Sequence, residues 1–544
     1  MKKISFILSV LVLGLGLASC ESQLDIPQKS VLDLATYYET AGPEEAEALT
    51  ARLHKQFFSG VAGIHTMCLL EIISDDCLAG GGGGSDNSWN MRDAGNYLTT
   101  SSDYIPRTQY TGVYRLIYYA NSIIERIPES SDPTIVRAKA EAKFYRAVAM
   151  FEALRWWGTP PLADHLYSDD EYNAPKGDPK EIITFCLKNF DEAAAALKPK
   201  SQMPAKTTYV TKEAALAYKG KAALWYGQKY NDNEVLAQAA PALKQVMDSG
   251  QYGLVSDMSI LGRAAGDFCN EYILEHNNAD NDGFVDGNQN DLRNTYLGLR
   301  VEQMLLPKHI HAGGWGWCAV SADFGKFLTE HDGLDSPRFK AWIATYDQIM
   351  DMEYADNVTE DMKGITRAYP DNQGYFRMKN IFYENEFYPS NGFWKYPYSN
   401  WYYMRYAEVL LLYAEACQLT GSDTAGGLAA LNQVRQRAGL APASALTYDL
   451  IKEERRAELF GEQERYFDLV RWGEAASKLA NKGKKSYQLA VGGYKPGVPK
   501  GGPDSWNVVE TDGPGQGWSD KWLLLPFPFE QIQANPNLKQ NPGW

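Results

Sequence analysis

Residues 401–421 read WYYMRYAEVLLLYAEACQLTG, residues 429–440 read AALNQVRQRAGL, and residues 451–473 read IKEERRAELFGEQERYFDLVRWG. In the first run Tyr406, Val409, Leu410, Tyr413, Ala414 and Cys417 recur at three- and four-residue steps, which places them on one face of a helix. Gly421 and Ser422 end it. Leu428, Leu431, Val434 and Arg435 repeat the pattern, and Gly439 is placed to stop that second helix. The two predict an antiparallel helical hairpin, which cannot bury its apolar face alone and must stack on others. The third run is dense in charge: Glu453, Glu454, Arg455, Arg456, Glu458, Glu462, Glu464 and Arg465. A solvated face would need no apolar partners, yet Leu459, Phe460, Phe467, Leu469 and Trp472 are interleaved. Several of these charges are therefore expected at a packed seam, paired with one another.

Outward from this block the same signal returns. Thr211–Lys229 and Asn233–Asp248 predict a second hairpin, with Ala214, Ala217 and Ala222 at close-packing positions like those of Ala407 and Ala414. Further helices are predicted over Glu44–Phe58, Tyr110–Ile127, Ile135–Trp157 and Pro179–Leu197, the third closed by Gly158 and Pro160. Hairpins recurring at roughly 34–40 residues point to a tetratricopeptide-like stack, although that repeat's consensus is not met. The expected fold is mostly α, a tetratricopeptide-like helical-hairpin scaffold over about 42–250 and 400–480, within one domain spanning 42–544. Residues 256–399 and 483–544, rich in Gly, Asn, Asp and aromatics, are expected as a loop-rich, irregular region facing the ligand. Gly80–Gly84 is expected to form a mobile surface loop. No Gly-Lys-Ser/Thr follows those glycines, so they do not read as a phosphate loop.

The first twenty residues, MKKISFILSVLVLGLGLASC, are an address. Lys2 and Lys3 precede a short apolar run, and Leu17-Ala18-Ser19-Cys20 matches a bacterial lipobox. Residues 1–19 are expected to be removed as a signal peptide, leaving Cys20 acylated at the head of a polar tether over 20–41. Each buried acyl methylene contributes about 0.8 kcal/mol, so a triacylated cysteine anchors firmly. Loss of Lys2 and Lys3 takes the net charge from −15 to −17. So acidic a chain lacks the basic footprint that nucleic acid requires. None of the seven cysteines forms a CxxC.

Aromatics make up 12% of the chain, and those on loops suit stacking on sugar rings or peptide planes. The candidates for ligand binding are Trp89, Tyr296, Trp315 and Trp317, with Asn90 and Arg92 as polar neighbours; two tryptophans set between glycines are not expected both to be buried. No nucleophile elbow or HExxH is present, and no catalytic residue is assigned. His309 and His311 form an HxH without an evident third zinc ligand. Asp280, Asp282 and Asp286 resemble part of a calcium loop but lack its spacing and terminal Glu. No metal or cofactor is expected, with calcium at those aspartates the one alternative.

Several of these texts resemble the signatures of one family. RYAEVLLLYAEA (405–416), NQVRQRAGL (432–440) and ERRAELFGEQERYFDLVRWG (454–473) resemble the C-terminal signature of the SusD/RagB family, nutrient-binding outer-membrane lipoproteins of Bacteroidetes. AEAKFYRAVAMFEALRWW (140–157) running into GTPPL resembles its N-terminal signature, ESQLDIPQ its lead-in after the lipid cysteine, and NPNLKQNPGW (535–544) its closing text. The resemblance implies a helical-pair scaffold, exposed at the cell surface and lipid-anchored to the outer membrane, and a structural role for Asp75-Asp76, which resembles the family's acidic pair after its first helices. It implies a SusC-like TonB-dependent transporter as partner, an oligosaccharide or, in some members, a peptide as ligand, and no catalysis. A surface glycoside hydrolase and a purely structural scaffold are the competing readings.

Overall fold

The computed structural model describes residues 34–82, 89–277, 293–381, 383–386 and 399–544. Its body is a run of helices in which each packs on the next: Tyr104–Arg126 on Pro133–Trp157, then Pro179–Ala196, Lys212–Lys229, Ala239–Asp248, Tyr406–Thr420 and Thr424–Arg437. Local chemistry sets the ends. Asp132 and Asp178 each accept two backbone N–H bonds at the first turn of the Pro133–Trp157 and Pro179–Ala196 helices, with a proline next in each case. Pro133–Trp157 is buried on nearly every face and forms the axis of the stack. Gly421, with φ +69, ends Tyr406–Thr420 in a left-handed cap, and Thr424–Arg437 returns antiparallel as the hairpin pattern predicts.

Some expectations change. The hairpin expected over 403–438 begins later, at Tyr406, because Trp401–Arg405 is a strand, antiparallel to Tyr272–His276; its aromatic run suits a pleated surface, and its partner lies far off in the chain. Asn233–Asp248 is broken into Asn233–Leu236 and Ala239–Asp248. Pro241 lacks an N–H and its ring clashes with the carbonyl four residues back, so the turn through Ala237 cannot continue. Within 483–518, Lys485–Tyr494 and Trp506–Asp512 pair antiparallel, and Tyr369–Pro370 adds a third strand. Two further two-stranded ribbons join Cys77–Gly80 to Trp317–Val320 and Ile343–Thr345 to Tyr375–Arg377.

The charge-dense third run is a buried ion-pair seam. Arg405, fully buried, reaches Glu458 at 3.0 Å and also bonds Glu271 and Glu462. Arg437 holds Glu271 at 2.6 Å, Arg455 holds Asp468 at 2.9 Å, and Arg471 holds Glu415 at 2.7 Å. Arg155 and Lys221 converge on Glu464 at 3.0 and 2.8 Å, tying the first half of the stack to the second. Asp75 takes both arms of Arg465 at 2.7 Å and Asp76 takes Arg456 at 2.8 Å, which gives the acidic pair its structural role. Burial opposes ionisation of Glu458, but Arg437, Arg405 and Arg338 outweigh it and hold the carboxyl down at about 2. Removing one member of such a pair strands a buried charge and costs about 3–5 kcal/mol.

Candidate functional site

The candidate residues sit on segments stitched together by backbone. Gly80 pairs with Trp317 in the Cys77–Gly80 ribbon. The Gly81 N–H then donates to the Gly316 carbonyl at 2.9 Å, Gly316 N–H to Gly298 at 2.8 Å, and Trp315 N–H to Thr295 at 2.7 Å. Gly80 has φ +76, and a Cβ there would fall 2.2 Å from the Gly316 oxygen. So Gly80 and Gly81 belong to a bonded ribbon end rather than a mobile loop, and Gly80 is a glycine because two strands touch there, while residues 83–88 lie outside the described residues.

On this frame the Trp315 ring lies 4.7 Å from that of Tyr296, inclined at 49°. Tyr296 meets His65 edge-on at 6.1 Å, and His65 meets Tyr104 edge-on at 5.5 Å. Tyr104 is 42% exposed and Tyr296 8%, so the rings step inward from solvent. Burial pushes the His65 imidazole down and the Tyr296 phenol up to about 12, so both stay uncharged at neutral pH. Arg300 braces the arrangement from behind, donating to the Trp315 carbonyl at 3.3 Å, while its backbone N–H donates to the Tyr369 hydroxyl at 3.1 Å. Neutral ring faces beside braced polar groups can grip a polyol or a peptide plane without net charge.

Trp89, Asn90 and Arg92 open a short helix, Trp89–Gly95, that packs on the Cys77–Gly80 strand. They flank the ribbon on a helix rather than a loop; of the Trp89 side chain nothing is described. Among the described residues the buried Asn90 Oδ1 has no hydrogen-bond partner. The Arg92 charge acts on Asp371, whose carboxylate accepts the Gly80 N–H at 3.0 Å.

Trp317 does not join this surface. It is 2% exposed and belongs to the core, so its ring cannot serve a ligand. Gly316, at φ +71, turns the chain between the two tryptophans and breaks the regular alternation of a strand. Tyr296 sits on a short helix, Arg293–Leu297, rather than on the expected loop, and His65 and Tyr104 also lie on helices, away from the loops where candidates are read; the only signal for the last two is an aromatic at the solvent end of a helix.

Asp280, Asp282, Asp286 and Cys20 lie outside the described residues. His309 pairs with Glu353 at 3.1 Å and His311 with Glu384 at 3.0 Å, so the HxH serves two separate carboxylates. Among the described residues no group of three His, Cys, Asp or Glu is set to hold a metal, and no helix is long and apolar enough to cross a membrane. A separate cleft of about 410 Å³ contains Asp267 and Glu275. Asn400 donates to both, by its N–H at 2.9 Å and its Nδ2 at 2.7 Å. Burial nonetheless pushes each carboxyl up to about 7.

Comparison with known proteins bears on this arrangement. Residues 271–544 match the sequence profile of the SusD family, and residues 80–224 match a profile described as starch-binding, associating with the outer membrane. A SusD-like protein of Bacteroides ovatus is 24% identical over 494 residues, covering 86% of this chain and 82% of the relative. A laminarin-binding SusD-like protein of known structure superposes with a TM-score of 0.72 at 25% identity, over 92% of this chain and 99% of its own. Surface glycan-binding protein A of Bacteroides thetaiotaomicron, solved with laminarihexaose, superposes with a TM-score of 0.69 at 20% identity, over 92% and 99%.

Proposed function

Because the chain belongs to the SusD family, we propose that it is a non-catalytic binder of oligosaccharides, held on the cell-surface side of the outer membrane by lipid on Cys20, which passes its cargo to a SusC-like TonB-dependent transporter. The Tyr296–Trp315 pair carries the binding part of this reading: two uncharged rings in contact at 4.7 Å, braced by glycine-enabled backbone bonds, at the foot of an aromatic run open to solvent. Such a surface recognises the C–H faces of a sugar, and its pre-ordering lowers the entropic cost of binding. A laminarin-binding relative at 25% identity supports a β-glucan as the first ligand to test. The lipobox supports the anchor, and the profile described as associating with the outer membrane supports the location.

One observation favours hydrolysis as a second reading. Asp267 and Glu275 line one cleft with carboxyls raised to about 7, where a general acid works. Incubating the mature protein with laminarin, a panel of other glycans and a peptide pool, then analysing bound and free fractions by chromatography, separates the readings. The proposal expects a glycan retained and recovered at its original length. Retention of peptides alone would contradict it, and shortened chains that disappear in Glu275→Gln would replace it with an enzyme.

A further inference from the structure

A cavity of about 220 Å³ opens between the Tyr104–Arg126 helix, the 161–174 segment and the Phe529–Ala534 helix. Tyrosines dominate its wall. Tyr110, Tyr114 and Tyr118 follow at four-residue steps along one face of the helix, and Tyr167 and Tyr172 line it from the segment. The Tyr110 and Tyr114 rings lie 4.4 Å apart, and Tyr167 meets Tyr172 edge-on at 6.4 Å. Tyr118 and Tyr172 are 39% and 62% exposed, so ring area reaches solvent at the mouth. This is not the Tyr296–Trp315 surface: neither those rings nor His65 or Tyr104 line the cavity, and Tyr118 at its mouth stands about 20 Å along the helix from Tyr104, at 1.5 Å per residue.

The wall is fixed before anything enters. The Tyr114 hydroxyl donates to the Pro161 carbonyl and that of Tyr167 to Leu162, each at 2.8 Å. Asn121, 1% exposed, donates to the carbonyls of Ala163 at 3.2 Å and His165 at 2.7 Å. Asn535 closes the far end by donating to the Ala174 carbonyl at 2.7 Å. His165, the ionisable ring on the rim, is bracketed by Asp164 at 2.7 Å and Glu171 at 2.9 Å, so charge there is met within the protein. The cavity therefore offers ring faces and neutral polar groups, and its volume lies below the roughly 300–1,000 Å³ of drug-sized pockets.

We propose that this cavity is a second carbohydrate subsite, which takes one neutral pyranose ring. The C–H face of the sugar stacks on the tyrosines, and its hydroxyls meet the Gln531 amide and the phenols at the mouth. The size admits a single ring, either a free monosaccharide or the end of a chain. A flat aromatic guest would match the ring faces but leave the polar rim without partners.

The test uses the mature chain with ring-labelled tyrosine, following the Tyr118 and Tyr172 resonances by NMR against methyl glycosides of glucose, galactose, mannose and xylose. Single variants assign the resonances. At least one glycoside is expected to give saturable shifts at both tyrosines in the wild-type chain and in Trp315→Ala, which disables the other site. Tyr172→Ala, at an exposed position, is expected to weaken the constant read at Tyr118 about tenfold. The proposal is overturned if no glycoside moves these resonances, if p-cresol moves them and the glycosides do not, if the shifts vanish in Trp315→Ala, or if Tyr172→Ala binds as the wild type does. Since the Trp315→Ala arm reads this cavity alone, failure here and failure of the first site are told apart.

Discussion

The seam beneath the 405–471 helices and the aromatic run at 296–315 sit within one core, yet they meet the cost of burial in opposite ways. The seam buries full charges and cancels each against a partner: Arg405 on Glu458, Arg155 on Glu464, Arg465 on Asp75. The aromatic run buries no net charge. Its order comes from backbone contact at glycines, from Gly80 to Trp315. One region makes the fold specific and leaves nothing to offer a ligand; the other keeps neutral ring faces at the solvent boundary. Stability and recognition should therefore respond to different residues.

The sharpest break between the two is expected at Arg405. Arg405→Ala removes the one cation that Glu458, Glu271 and Glu462 all touch, leaving Arg437, Lys379 and Arg338 to offset three buried carboxylates, and should destabilise the fold by about 3–5 kcal/mol, read as a fall in denaturation midpoint. An unchanged midpoint would mean that the seam is not structural. Acid should act on the same region next. Glu458 sits at about 2 in the folded chain against an ordinary 4.5, so its stabilisation is complete above 4.5 and is lost as pH falls toward 2. That window carries about 3 kcal/mol from Glu458 alone. Denaturation midpoints measured from pH 7 to 2 should fall steeply only below about 4.5; a flat profile there would contradict the assignment.

A smaller effect should link the regions. Gly80→Ala puts a Cβ 2.2 Å from the Gly316 oxygen at a left-handed φ, and should cost about 1–3 kcal/mol. Because that contact supports the ribbon on which Trp315 sits, ligand affinity should fall along with stability. Loss of stability with affinity untouched would show that the ribbon does not position the ring.

The seam was legible because its signal is local. Charges interleaved with Leu459, Phe460 and Phe467 have one economical arrangement, and the stops at Gly421 and Gly439 lie where the helical periodicity of the hairpin ends. What escaped depends on distant partners. Trp401–Arg405 is extended because Tyr272–His276 lies beside it. Trp317 is core because Gly316 turns the chain and Gly80 lies opposite. The candidate site was legible only in part for the same reason: Tyr296 and Trp315 stand among the glycines and aromatics of 256–399, whereas nothing in the sequence places His65 and Tyr104, from two other helices, beside them.

The most direct test of the separation is a calorimetric titration of laminarin oligosaccharides into the wild-type protein and Trp315→Ala, with thermal midpoints taken on the same samples. Removing one half-buried stacking ring should cost about 1–2 kcal/mol of binding, five- to thirtyfold in affinity, and leave the midpoint within a degree or two. Equal affinity for the two proteins, or a loss of binding that merely follows a collapse in midpoint, would contradict the account.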